Sequence, residues 1–163
     1  MRNLLVAQSG GPTSAINATI AGVIMEAHAS DQVDTIYGAV NGIKGVLEER
    51  FVNLSEKVPG EDELEILCQT PAAALGSCRV KLKNPAEDDS QFQEVIRIFR
   101  KHEIMYFIYA GGNDSMDTVD KLAAYCKEHK IEDIHVMGAP KTIDNDLVGT
   151  GSLSGIWFPQ QNI

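Results

Sequence analysis

Twice in this chain a short apolar run ends at a pair of glycines, and each pair leads through a helical stretch to another apolar run. "NLLVAQ" (3–8) runs into "SGGP", and "IMYFIYA" (104–110) runs into "GGNDS". After the first pair Ile16, Ile20, Val23, Ile24 and Ala27 recur at helical spacing, before "DTIYGAV" (34–40) reads as a strand. After the second, Val119, Leu122, Ala123 and Cys126 form the inner face of a helix, and "DIHVMGA" (133–139) follows as a buried strand. A strand, helix and strand in succession form a crossover that pairs its two strands in parallel. Two such units predict an α/β fold, a three-layer sandwich around a largely parallel sheet.

The remaining segments fit around these units. Pro12 suits the first turn of the first helix, where its missing N–H costs nothing. "NGIKGVLEERFVNLS" predicts a short helix and a short extended piece, and "GEDELEILCQT" a helix with acidic residues in its first turn, where the helix dipole favours them. "KNPAEDDS" reads as a polar loop, with Ser90 as the cap of a helix whose buried stripe is Phe92, Val95, Ile96 and Phe99.

Ligands of such sheets bind beyond the carboxyl ends of the strands. Three polar clusters lie at such ends: "SGGPTSAIN", "GGNDSM" and "PKTIDNDL" (140–147). They are expected to converge on one crevice. Glycines at a strand-to-helix turn let a ligand approach the backbone, where the first helical N–H groups can hold phosphate. A plain tight turn would use the same residues, so either pair alone leaves both readings open; their equivalent positions in the repeat favour phosphate. Neither matches GxGxxG or GxxxxGK[ST], which excludes those two nucleotide-binding patterns. In "PKTIDNDL", Asp144 and Asp146 would point the same way from an extended backbone. One could take a proton from a hydroxyl while the other orients groups or a metal. Lys141 and Thr142 can hold a phosphate, and Asp114 can bear on a magnesium-bound one. A solvated loop or an Asx-turn is the structural alternative.

Bulk properties narrow the partners. The chain has 163 residues, enough for one domain with a real core, and a formal charge of −9. That charge argues against nucleic acid and anionic membrane as partners, and requires any anionic substrate to be gripped by local donors. No apolar run is long enough to span a membrane, and the N-terminal run is too short for a signal peptide. Cys68, Cys78 and Cys126 form no CxxC pair and read as reduced thiols of a cytoplasmic protein. The four histidines lack zinc-site spacing.

The motifs taken together resemble the phosphofructokinase family. "PKTIDNDL" is similar to its catalytic-loop signature, "GGNDS" to its glycine-rich phosphate loop, "SGGPTSAIN" to its first phosphate loop, and "LGSCRVKL" (75–82) to its "GSxR" segment. The four occur in the family's order over residues 1–147. The resemblance implies the family's fold, a magnesium cofactor and a glycolytic kinase-type transfer of phosphoryl to fructose 6-phosphate in the cytoplasm, by a homo-oligomer at full length.

Within the family it favours the pyrophosphate-dependent branch. ATP users typically carry glycine at the place of Asp114, leaving room for the nucleotide's α-phosphate, and glycine at the place of Lys141. A carboxylate at position 114 would repel that phosphate, whereas a lysine at 141 can bind phosphates as a point charge. Carried over residue by residue, the pattern makes Asp144 the base for the sugar 1-hydroxyl, with Thr142 and Asp146 beside the sugar phosphate and the transferring group. Gly11, Arg79, Gly112, Ser115 and Lys141 fall to the phosphoryl donor, and Asp114 with Lys141 selects pyrophosphate. Asn113 stands where many members have a magnesium-associated aspartate, so the resemblance leaves the metal to Asp114 and to the phosphates themselves.

A second departure follows residue 147. "VGTGSLSGIWFPQQNI" (148–163) has no helical period and departs from the family's continuation. It reads as a foreign tail of the kind a frameshift or gene-model error leaves, and the polypeptide alone is expected to be inactive. Two other readings stand beside the pyrophosphate-dependent enzyme: an ATP-dependent 6-phosphofructokinase, opposed by Asp114 and Lys141, and a non-catalytic subunit that binds phosphate ligands.

Overall fold

The computed structural model describes residues 1–11, 13 and 15–141. The first unit runs β1 (Asn3–Gln8), α1 (Ile16–Ala29), β2 (Ile36–Ala39). Then come α2 (Gly42–Leu47), β3 (Phe51–Asn53), α3 (Leu54–Lys57) and α4 (Glu61–Gln69). The second unit is α5 (Ser90–Lys101), β4 (Ile104–Gly111), α6 (Asn113–Glu128) and β5 (His135–Pro140).

The strands form one sheet in the order β3-β2-β1-β4-β5, parallel except for β3, which pairs antiparallel with β2. β1 lies at the centre and all six of its residues are buried, which is why "NLLVAQ" does not alternate: helices cover it on both faces. One face packs Leu4, Val6 and Ile36 against Ile20 and Ile24 of α1 and Leu54 and Val58. The other packs Leu5, Phe107 and Tyr109 against Ile43 of α2, Phe92, Val95 and Phe99 of α5, and Leu122 of α6. These are the three layers predicted from the alternation.

Topology fixes where a ligand can sit. From β1 the chain steps through α1 to β2 on one side; from β4 it steps through α6 to β5 on the other. Right-handed crossovers in opposite directions put α1 and α6 on opposite faces and open a crevice between the carboxyl ends of β1 and β4. Both glycine pairs are at that point.

Several local expectations need correction. β5 is not a buried strand: it forms the sheet edge, and Met137 is 64% exposed, because α1 reaches across to β4 while no helix among the described residues packs over β5 on that side. The expected extended piece is present as β3, an antiparallel edge strand, and the helix α3 after it is additional. Ser90 is the first residue of α5 rather than its cap; its N–H donates to Asp88 Oδ1 at 3.1 Å, and Asp89 precedes the helix. In α6, Ala123 is only half-buried while Tyr125 fills the core. α1 starts at Ile16, without a side-chain cap bond; Pro12 lies outside the described residues. So do Thr142, Asp144, Asp146 and the segment 148–163.

Candidate functional site

The turn after β1 is a left-handed bend. Gly10 has φ +87°, a conformation that costs a side-chain-bearing residue about 1–2 kcal/mol. A Cβ on Gly10 would stand 3.3 Å from the backbone nitrogen of Gly112. The two glycine turns therefore abut. Gly111 is glycine for a different reason: a Cβ there would run into the Ser115 side chain and stand 2.8 Å from the Ser9 carbonyl. Gly11 has open space where a Cβ would be, so a ligand can approach its backbone.

The third wall is the coil 75–82, which has no regular structure and is tied down by polar contacts. Fully buried Gln8 accepts from the Leu75 N–H at 3.1 Å and donates to Asn17 Oδ1 at 3.3 Å. Asn17, also fully buried, accepts from the Ala74 N–H at 2.8 Å and donates to the Thr70 carbonyl at 2.8 Å. A buried amide pair satisfied in this way fixes one geometry. Further along, Ser77 Oγ donates to the Gly10 carbonyl at 2.8 Å and Ser9 Oγ donates to the Cys78 carbonyl at 2.7 Å. The "GSxR" segment is thus stitched to the first glycine turn.

Between these walls is a cavity of about 910 Å³ lined by Gly10, Gly11, Arg79, Lys81, Gly112, Asn113, Asp114 and Ser115 among others. The N-terminal turn of α6 faces it, and the first amides of a helix have no partner within the helix. Lys141 leaves the end of β5, its N–H bonded to the Gly111 carbonyl at 2.8 Å, and its Nζ donates to the Gly11 carbonyl at 2.5 Å. Lys81 Nζ is 2.7 Å from Asp114 Oδ1, and the hydrogen bond to that carboxylate, followed by its charge, raises the lysine's pKa. Cys78 is half-buried in the same lining. Burial pushes its thiol up, but hydrogen bonds with the Lys44 and Val80 backbone and with Ser9 and Tyr109 outweigh it and leave the pKa lowered.

Of the six residues expected at the phosphoryl donor, Gly11, Arg79, Gly112, Asp114 and Ser115 line one cavity, and Lys141 joins them through its bond to the Gly11 carbonyl. Ser115 is 4% exposed and packs beneath Gly111, so it shapes the turn as well as lining the cavity. Thr142, Asp144 and Asp146 are not among the described residues. Sequence reasoning missed Lys81 and the Gln8–Asn17 pair; the only signal for Lys81 was its place two residues after Arg79. Among the described residues no group of three His, Cys, Asp or Glu side chains is placed to hold a metal ion. Asp114 is committed to Lys81, and Asn113 brings an amide. These residues alone do not fit a magnesium cage.

At the switch point of this largely parallel sheet, two abutting glycine turns, a helix N-terminus and three cations form a site of an α/β protein with the chemistry to hold an anion such as phosphate. Comparison with known proteins gives the particular family. The "Phosphofructokinase" family pattern matches residues 3–156, and the chain belongs to the phosphofructokinase family. It is 43% identical over 153 residues to a Xanthomonas campestris protein named pyrophosphate–fructose 6-phosphate 1-phosphotransferase, covering 94% of this chain and 35% of that protein. The crystal structure of a pyrophosphate-dependent phosphofructokinase from Nitrosospira multiformis superposes with a TM-score of 0.81 at 37% identity, covering 91% of this chain and 36% of that one. A second, from Marinobacter aquaeolei, gives 0.79 at 39% identity, with 92% and 36% covered. The chain spans about a third of the length of these relatives.

Proposed function

We propose that this chain carries the phosphoryl-donor part of an enzyme that moves a phosphoryl group from pyrophosphate to the 1-hydroxyl of fructose 6-phosphate. The observation that carries this reading is the pair of charges at the abutting turns, Lys141 on the Gly11 carbonyl and Asp114 across the cavity. A compact anion is held by the amides and cations of that lining. A nucleotide would have to extend past the carboxylate, where like charges repel.

In the reaction, the sugar hydroxyl oxygen attacks one phosphorus of pyrophosphate, the bridging P–O bond breaks and orthophosphate leaves. Asp144 takes the hydroxyl proton, and Thr142 and Asp146 hold the sugar phosphate and the transferring group. Arg79, Lys141 and the amides at Gly11 and Gly112 hold the donor. Phosphoryl transfer asks the protein mainly for positioning and charge neutralisation. Magnesium, in this reading, arrives on the phosphates rather than in a cage of protein ligands. A cytoplasmic setting suits the three free cysteines; no helix among the described residues is long and apolar enough to cross a membrane. Homo-oligomeric assembly at the relatives' length belongs to the same reading.

The test is an assay of fructose bisphosphate formation by a version completed to the relatives' length, with each donor in turn. Higher kcat/KM with pyrophosphate is expected. Preference for ATP would overturn the donor assignment and leave the family membership standing.

A further inference from the structure

Asp114 can discriminate between donors only if its carboxylate stays across the cavity. It is 66% exposed, on the first turn of a helix, and nothing in its own backbone prevents it from rotating into solvent. Its partner among the described residues is Lys81, 63% exposed. So exposed a pair adds little to the stability of the fold. Its consequence lies in where it puts the charges.

Lys81 is well mounted for that purpose. The backbone that carries it is fixed on one side by the Ser77 and Ser9 hydroxyl bonds to and from the first glycine turn. On the other side Leu82, 3% exposed, is buried in the core. Asp114 is fixed through α6, whose first turn packs Ser115 under Gly111. The ion pair therefore spans from one rigid wall of the cavity to another.

We infer that Lys81 is a positioning residue: it holds the Asp114 carboxylate across the cavity, and so sets how strongly the site prefers pyrophosphate to a nucleoside triphosphate. The inference rests on reading the cavity as the donor site. With Lys81 in place the carboxylate stays in the path of a longer donor. Without Lys81 the carboxylate is free to turn away, and its barrier to the longer donor falls. Were Lys81 instead a plain phosphate ligand, its loss would weaken both donors alike.

The test is calorimetric titration of the 163-residue chain with inorganic pyrophosphate and with ATP, using wild type, Lys81→Met, Lys81→Arg, Asp114→Asn and the Lys81→Met, Asp114→Asn double variant. Circular dichroism confirms that each variant folds. The ratio of the two affinities should shift towards ATP by about threefold to fivefold in Lys81→Met, the scale of an exposed ion pair. Lys81→Arg should restore it. In the Asp114→Asn background Lys81→Met should leave the ratio unchanged, since a residue that acts through another has no effect once that other is gone. Equal weakening of both donors, persisting without the carboxylate, would overturn the inference and leave the donor reading intact. A wild-type chain that prefers ATP, or binds neither donor, would overturn the donor reading itself.

Discussion

The two glycine turns occupy equivalent places in a repeated unit, yet they are built for different work. The turn after β1 needs a left-handed bend at Gly10 and leaves Gly11 open, with Lys141 resting on its carbonyl. The turn after β4 has no left-handed residue; Gly111 is there because Ser115 and the Ser9 carbonyl fill the space a side chain would take. In the proposed reading the first turn receives an anion. The second is packed tight and carries the Asp114 carboxylate, which in the same reading limits the length of that anion. A doubled glycine thus has at least two physical causes, and only the surroundings separate them.

The largest expected effect comes from a residue outside both turns. Asp144→Asn in the completed enzyme should lower turnover by roughly a hundredfold to ten-thousandfold, the range for a general base, with pyrophosphate binding nearly intact. Single-turnover kinetics with a binding titration would check it, and equal loss of binding would mean the turns do not form the donor site on their own. Next is the pair of opposite charges, Asp114 on the second turn and Lys141, past the end of β5, on the carbonyl of the first. Asp114→Gly with Lys141→Gly should shift the kcat/KM preference from pyrophosphate to ATP, on the order of a hundredfold if the like-charge repulsion is worth several kcal/mol. Asp114→Gly alone should give mixed donor use.

The glycines themselves sharpen the contrast. Gly111→Ala should destabilise the fold by about 1–3 kcal/mol through overpacking, read as a lowered urea midpoint. Gly10→Ala should cost about 1–2 kcal/mol through its backbone conformation. Gly11→Ala should change stability by no more than about 0.5 kcal/mol and yet weaken pyrophosphate binding. If Gly11→Ala unfolds the chain, or Gly111→Ala does not destabilise it, the division of labour between the turns is wrong.

Much of this was legible in the residues. The apolar runs, the helical periods and the glycine pairs announce the two crossover units, and the crossover rule then forces both turns to one end of the sheet. What was not legible is non-local. The expected extended piece is β3, only three residues long, but that it pairs antiparallel with β2 depends on the edge β2 offers. "DIHVMGA" has the composition of a buried strand, but burial depends on a covering layer that the strand itself does not encode. The coil 70–89 has no period to read; its course is set by Gln8 and Asn17, two polar residues inside apolar elements. Lys81 and Asp114 are 33 positions apart in sequence, and only the fold brings them within 2.7 Å.

The central claim is that the two turns act on one ligand. The most direct measurement is a titration of the isotopically labelled 163-residue chain with inorganic pyrophosphate, followed by amide nuclear magnetic resonance. Gly11 from the first turn and Gly112, Asn113 and Asp114 from the second should shift together, along one binding curve with a single Kd. Shifts confined to one turn, or two turns that titrate with different Kd values, would contradict it.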